Sequence, residues 1–68
     1  MRTELKLLRV RYGLTQEQMA VRLGCKRCTY AAVENGKREP SMRFCNALSM
    51  AFGMPMAEVL ELLKPDEK

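Results

Sequence analysis

Reactive chemistry in this chain is concentrated in Cys25-Lys26-Arg27-Cys28, where two thiols three residues apart enclose two cationic side chains. A helix start between bases lowers a thiol pKa, which is the setting of reactive cysteines. A C-x-x-C oxidoreductase also needs a thioredoxin-like βαβ context, and this sequence has none. Zinc is no better served, because Cys45 as a third thiol and the lack of any histidine leave the ligand set incomplete. The plain alternative makes Cys25 a small residue of a turn or core edge and Cys28 a passive surface contact. A redox switch acting on the adjoining helix stays open beside it, and Cys45 is expected to pack inside a helix. Catalysis has little to stand on: there is no histidine, no nucleophile with a base beside it and no glycine-rich phosphate loop. Neither an enzyme nor a metal or cofactor is expected. The six methionines, Met50, Met54 and Met56 among them, read as core and interface filler rather than soft-metal ligands. Tyr12 and Tyr30 read as structural.

What remains is charge. The formal net charge is +4 and the pI near 9.3, which suits phosphate, nucleic acid or an acidic membrane surface. Its distribution is more informative. Between Arg22 and Arg43 six bases (Arg22, Lys26, Arg27, Lys37, Arg38, Arg43) face two acids (Glu34, Glu39), whereas from Glu58 onward four acids face two bases. An odd number of cysteines, three, rules out a complete intramolecular disulfide framework and points to a reducing compartment. No apolar run approaches the ~20 residues of a transmembrane helix, and Lys6, Arg9 and Arg11 interrupt any signal-peptide core. The expected location is the cytoplasm.

Five helices are needed to position these charges. Leu5, Leu8 and Tyr12 form an amphipathic stripe over 3–12, with Thr3 as its cap and Gly13 as its stop. Leu7 and Val10 fall on a second line whose role the sequence does not decide. Thr15 caps a second helix in a capping box with Gln18, Met19, Ala20 and Leu23 share one face, and Gly24 makes the sharp corner. A third helix over about 26–35 turns Tyr30 and Val33 inward and leaves Arg27, Cys28, Ala31 and Ala32 outward or at the edge. Two outward alanines keep it slim enough for the roughly 12 Å major groove of B-DNA. Asn35-Gly36 is a turn, and 37–40 a basic loop. A fourth helix opens at Pro40-Ser41 and carries Phe44, Leu48, Ala51 and Phe52 up to Gly53. The last opens at Pro55, carries Met56, Val59, Leu60, Leu62 and Leu63, and stops at Pro65. That is more apolar surface than a small core needs, so the surplus suggests a partner. Asp66-Glu67-Lys68 reads as a fraying end.

The combination Gly13-Leu14-Thr15-Gln16, Ala20, Leu23-Gly24, Glu34-Asn35-Gly36-Lys37 and Pro40, followed by AFGM and PMAEVLELL, resembles the Cro/C1-type helix-turn-helix family of lambda-repressor-like DNA-binding domains. The likeness runs from Leu5 to Leu63. It implies an all-α, compact five-helix fold over a single domain, 1–68, with the helix-turn-helix formed by helices 2 and 3 and the third helix in the major groove. It further implies homodimers on palindromic double-stranded DNA. By position, Lys26, Arg27, Cys28 and Ala32 occupy base-contacting places. Gln16, Asn35, Lys37, Arg38, Ser41 and Arg43 occupy phosphate-contacting ones, and Arg9 and Glu34 match a buried salt bridge. Where many relatives read bases with Gln, Ser or Asn, this chain has Arg27, Cys28, Ala31 and Ala32. Arg27 is open to two readings, guanine O6 and N7 or a phosphate.

The expected function is a sequence-specific transcriptional regulator, a repressor dimerising through Met54, Met56, Val59, Leu62 and Leu63. The alternative is an antitoxin-like interaction module with an unknown protein partner, in which DNA binding is secondary.

Overall fold

The computed structural model describes residues 1–66, which form five helices: α1 (Thr3–Arg11), α2 (Gln16–Leu23), α3 (Arg27–Glu34), α4 (Met42–Phe52) and α5 (Met56–Leu62). Strands are absent among the described residues.

Local chemistry explains most of the boundaries. Thr15 and Gln18 complete the capping box: the Gln18 N–H donates to Thr15 Oγ1 at 3.1 Å, and the Thr15 N–H donates to Gln18 Oε1 at 2.9 Å. Two orphan donors are thereby satisfied at the start of α2. Gly24 ends that helix at φ +71°, and the Cys25 N–H turns back onto the Ala20 carbonyl at 3.0 Å. Ser41 caps α4 through the Phe44 N–H at 3.1 Å.

The amino end of α1 departs from expectation. Thr3 is not the cap but lies within the first turn, and its hydroxyl donates to the Asp66 carboxylate. The cap position belongs to Arg2, whose own N–H is drawn to the Glu34 carbonyl at 2.8 Å. Asp66 consequently does not fray: it accepts from Thr3, its N–H donates to the Met1 carbonyl at 2.8 Å, and the Thr3 bonds hold its carboxyl below the ordinary value. Glu67 and Lys68 lie outside the described residues.

The core draws on every helix: Leu5 and Leu8 from α1, Met19, Ala20 and Leu23 from α2, Tyr30 and Val33 from α3, and Phe44, Cys45 and Leu48 from α4, with Val59 and Leu63 closing it. At ~1.5–3 kcal/mol for each large apolar side chain removed from water, this burial is the main force holding the helices together. The small Ala20 lets α2 and α3 approach, and Tyr30 stacks on Phe44 at 6.2 Å. Two expectations for apolar residues fail. Ala51 and Tyr12 are exposed, Tyr12 meeting Phe52 edge-on at 4.8 Å, while Phe52 itself is half-buried against the core.

Candidate nucleic-acid interface

One buried carboxylate fixes the third helix. Glu34 is 2% exposed and accepts from Arg9 Nε at 2.9 Å, Arg9 Nη2 at 3.4 Å, Tyr30 Oη at 2.7 Å and Gln16 Nε2 at 3.0 Å. Burial disfavours its charge, but the bonds from Arg9, Tyr30 and Gln16 outweigh that and hold its carboxyl below the ordinary range. The same bond to Glu34 raises the Arg9 guanidinium, while burial and the bond to Glu34 push the Tyr30 phenol up. Arg9 also donates to the Leu14 carbonyl at 2.8 Å, so one side chain of α1 grips both the α1–α2 connection and α3. The Arg9–Glu34 pair implied by the resemblance is therefore present as a hydrogen-bonded salt bridge.

Gln16, implied as a phosphate contact, also serves this anchor: its amide donates one hydrogen to Glu34, adding a donor to those Arg9 and Tyr30 supply to the buried carboxylate.

Around the start of α3 and the loop that follows it, the surface is basic. Lys26, Arg27 and Cys28 are exposed at the start of α3, Ala31 and Ala32 are half-buried beside them, and Asn35, Lys37 and Arg38 are exposed in the following loop. The start of α3 and the start of α4 border a shallow groove that gathers Lys26, Arg38, Ser41 and Arg43, with Cys25, Thr29 and Phe44 along its walls. Thr29 joins the groove without a sequence expectation for it, although its spacing of three from Lys26 is a usable signal. Arg2 has no sequence signal at all, because most of its partners are backbone carbonyls.

Cys25 is half-buried and its thiol is pushed up, by burial first and then by neighbouring Cys28, which is opposite to the lowering expected from its flanking bases. Cys28 is exposed and Cys45 buried. Among the described residues no group of three metal-binding side chains occurs.

The last helix brings a correction. Val59 and Leu63 point into the monomer's own core and are not available to a partner, since α5 needs them to seal the bundle. Met54, Met56 and Leu62 are half-buried against that core, and Leu60, 53% exposed, is the apolar side chain that α5 holds out.

A short helix across the base of a second, slim one, joined by a glycine corner and backed by three supporting helices, is the arrangement that presents a helix to the major groove. A family model described as helix-turn-helix matches residues 5–59, the stretch from the first core leucine to the last helix. The chain belongs to the Cro/C1-type helix-turn-helix family. Members of this family are DNA-binding transcriptional regulators rather than enzymes. Among curated relatives, an HTH-type transcriptional regulator of Methanocaldococcus jannaschii is 36% identical over 59 residues, covering 87% of this chain and 89% of that protein. The HTH-type transcriptional regulator YgzD of Bacillus subtilis is 37% identical over 62 residues, covering 91% and 94%. The cryptic phage CTXphi transcriptional repressor RstR of Vibrio cholerae is 33% identical over 58 residues, covering 85% of this chain and 52% of its own length. No solved structure matches. No described helix of this regulator is long and apolar enough to cross a membrane.

Proposed function

We infer that this regulator is a homodimeric repressor acting in the cytoplasm on a palindromic operator, with the whole chain serving as one DNA-binding domain. The observation that carries the reading is the joint presentation of α3 and the basic groove: Lys26, Arg38, Ser41 and Arg43 share one concavity beside the exposed face of Arg27 and Cys28. Lys26, Arg27, Cys28 and Ala32 meet base edges. Arg27 donates to guanine O6 and N7, worth ~1–3 kcal/mol of discrimination, and Cys28 offers a thymine methyl no more than apolar contact. Asn35, Lys37, Arg38, Ser41 and Arg43 hold phosphates, and Gln16 contributes only what its bond to Glu34 leaves free, its backbone N–H and one amide hydrogen. The name of the RstR relative, a phage transcriptional repressor, supports repression.

Two copies pair through the outer face of α5, with Leu60 added to Met54, Met56 and Leu62, and set half-sites about one helical turn, ~34 Å, apart. The test is selection of bound duplexes from a random library, for the wild type and Arg27→Ala, at two salt concentrations. An enriched palindrome that loses one base preference in the variant is expected. No enrichment, with a steep salt dependence unchanged in the variant, would overturn sequence-specific reading.

A further inference from the structure

Arg2 is 1% exposed and heads the largest fully buried side chains, although it is the only arginine there and carries a full charge. An isolated buried charge is prohibitively unfavourable, so its partners define its role. Nε donates to the Leu63 carbonyl at 2.8 Å, at the end of α5. Nη1 donates to the Val33 carbonyl at 2.7 Å, at the end of α3, and to the Arg38 carbonyl at 3.2 Å in the loop. Nη2 reaches Glu39 Oε1 at 3.3 Å, and that carboxylate is 91% exposed. Carbonyls at helix carboxyl ends carry the negative pole of the helix dipole and lack intrahelical donors, so one guanidinium satisfies two of them at once. Only a planar fork of five donors can serve three separated carbonyls.

The third carbonyl gives this arrangement its consequence. Arg38 lines the basic groove, and Arg2 grips the 35–40 loop from inside at the Arg38 backbone, with Glu39 beside it. From the other side the Lys37 and Arg38 N–H groups donate to the Ala32 carbonyl at 2.9 and 3.2 Å. We propose that Arg2 is a positioning residue for DNA binding: it sets the backbone of Arg38, and with it Lys37, at the height where both side chains meet phosphate, and it ties that height to the end of α5. The inference rests on the DNA-binding reading above. Arg2 itself touches no DNA.

The test compares wild type, Arg2→Lys and Arg2→Gln, each alone and combined with Arg38→Ala, on the selected operator duplex across a salt series. The companion measurement is amide exchange of the free proteins. Losing the two loop contacts flattens the slope of log K against log salt by roughly 1–2, and Arg38→Ala then has almost no further effect in the Arg2→Lys background. The Lys37 and Arg38 amides exchange faster in the free variant while the α2 amides stay protected. An unchanged slope with additive Arg2 and Arg38 effects would overturn the proposal, even if the variant melts earlier. So would loss of the whole fold in both variants, since Arg2 would then support stability at large. A wild type with no salt-dependent binding to any duplex would sink the DNA-binding reading and this inference with it. Faster loop exchange in Arg2→Lys, seen without DNA, separates that failure from a failure of the clamp.

Discussion

Replacing Glu34 with alanine should come close to unfolding the protein. The substitution removes the acceptor of four hydrogen bonds and leaves the Arg9 guanidinium, 13% exposed, with only the Leu14 carbonyl. Breaking a buried pair from one side costs ~3–5 kcal/mol. Marginal stability of 0.05–0.15 kcal/mol per residue gives a chain of 68 residues about 3–10 kcal/mol in total, so the loss takes most of the margin. Glu34→Gln keeps the shape and part of the hydrogen bonding and should fall between wild type and alanine. Acid adds a second reading. The folded carboxyl of Glu34 sits below its unfolded value, so its contribution is complete above the unfolded carboxyl pKa of about 4.3 and is lost as pH falls through the folded value. The acid limb of stability against pH should be shallower in Glu34→Gln than in wild type, without vanishing, because Asp66 is shifted in the same direction. Urea titrations followed by far-UV circular dichroism, at pH 7 and in steps down to pH 2, measure both effects. A loss below about 1 kcal/mol for the alanine variant, or an unaltered acid limb for the glutamine variant, would refute the hub.

Gly36→Ala should lower the melting temperature by several degrees, corresponding to more than ~1 kcal/mol, because φ is +82° and the new methyl would lie 2.8 Å from the Met1 backbone nitrogen; an unchanged melting curve contradicts this. Leu62→Glu leaves the buried Val59 and Leu63 in place and should turn the proposed dimer into a monomer in sedimentation equilibrium, while an unchanged dimer mass removes α5 from the interface. An aromatic disulfide reagent should modify exposed Cys28 first, half-buried Cys25 more slowly and with a rate that keeps rising above the ordinary thiol range, and Cys45 only on unfolding; equal rates at Cys28 and Cys45 would disprove that order.

The ends of α2 and the start of α4 were legible because they depend on neighbours in sequence: Thr15 with Gln18, Gly24 at its corner, Ser41 at its cap. The inward faces of α2 and α3 were legible from periodicity, as Met19, Ala20, Leu23, Tyr30 and Val33 are all buried. Contacts that span the chain were not. Arg2 meets Leu63 across 61 positions and Thr3 meets Asp66 across 63, with no motif joining them. The apolar surplus of α5 was overestimated for a related reason: a short helix that closes a small bundle spends Val59 and Leu63 on its own core. The Gln16–Glu34 bond was not legible, because position within a motif tells which way the backbone faces but not which acceptor the side chain finds.

The third helix keeps two sets of residues apart. Tyr30, Val33 and Glu34 belong to the core and its hub, while Arg27 and Cys28 stand exposed and Ala31 and Ala32 flank them with side chains too small to be tied down by hydrogen bonds. Mutational drift on the outer set therefore leaves the scaffold's folding free energy nearly untouched. On the proposed reading, in which the outer set meets DNA, target choice and foldability become separately evolvable traits, and an engineer could exchange the outward residues while keeping the inner three.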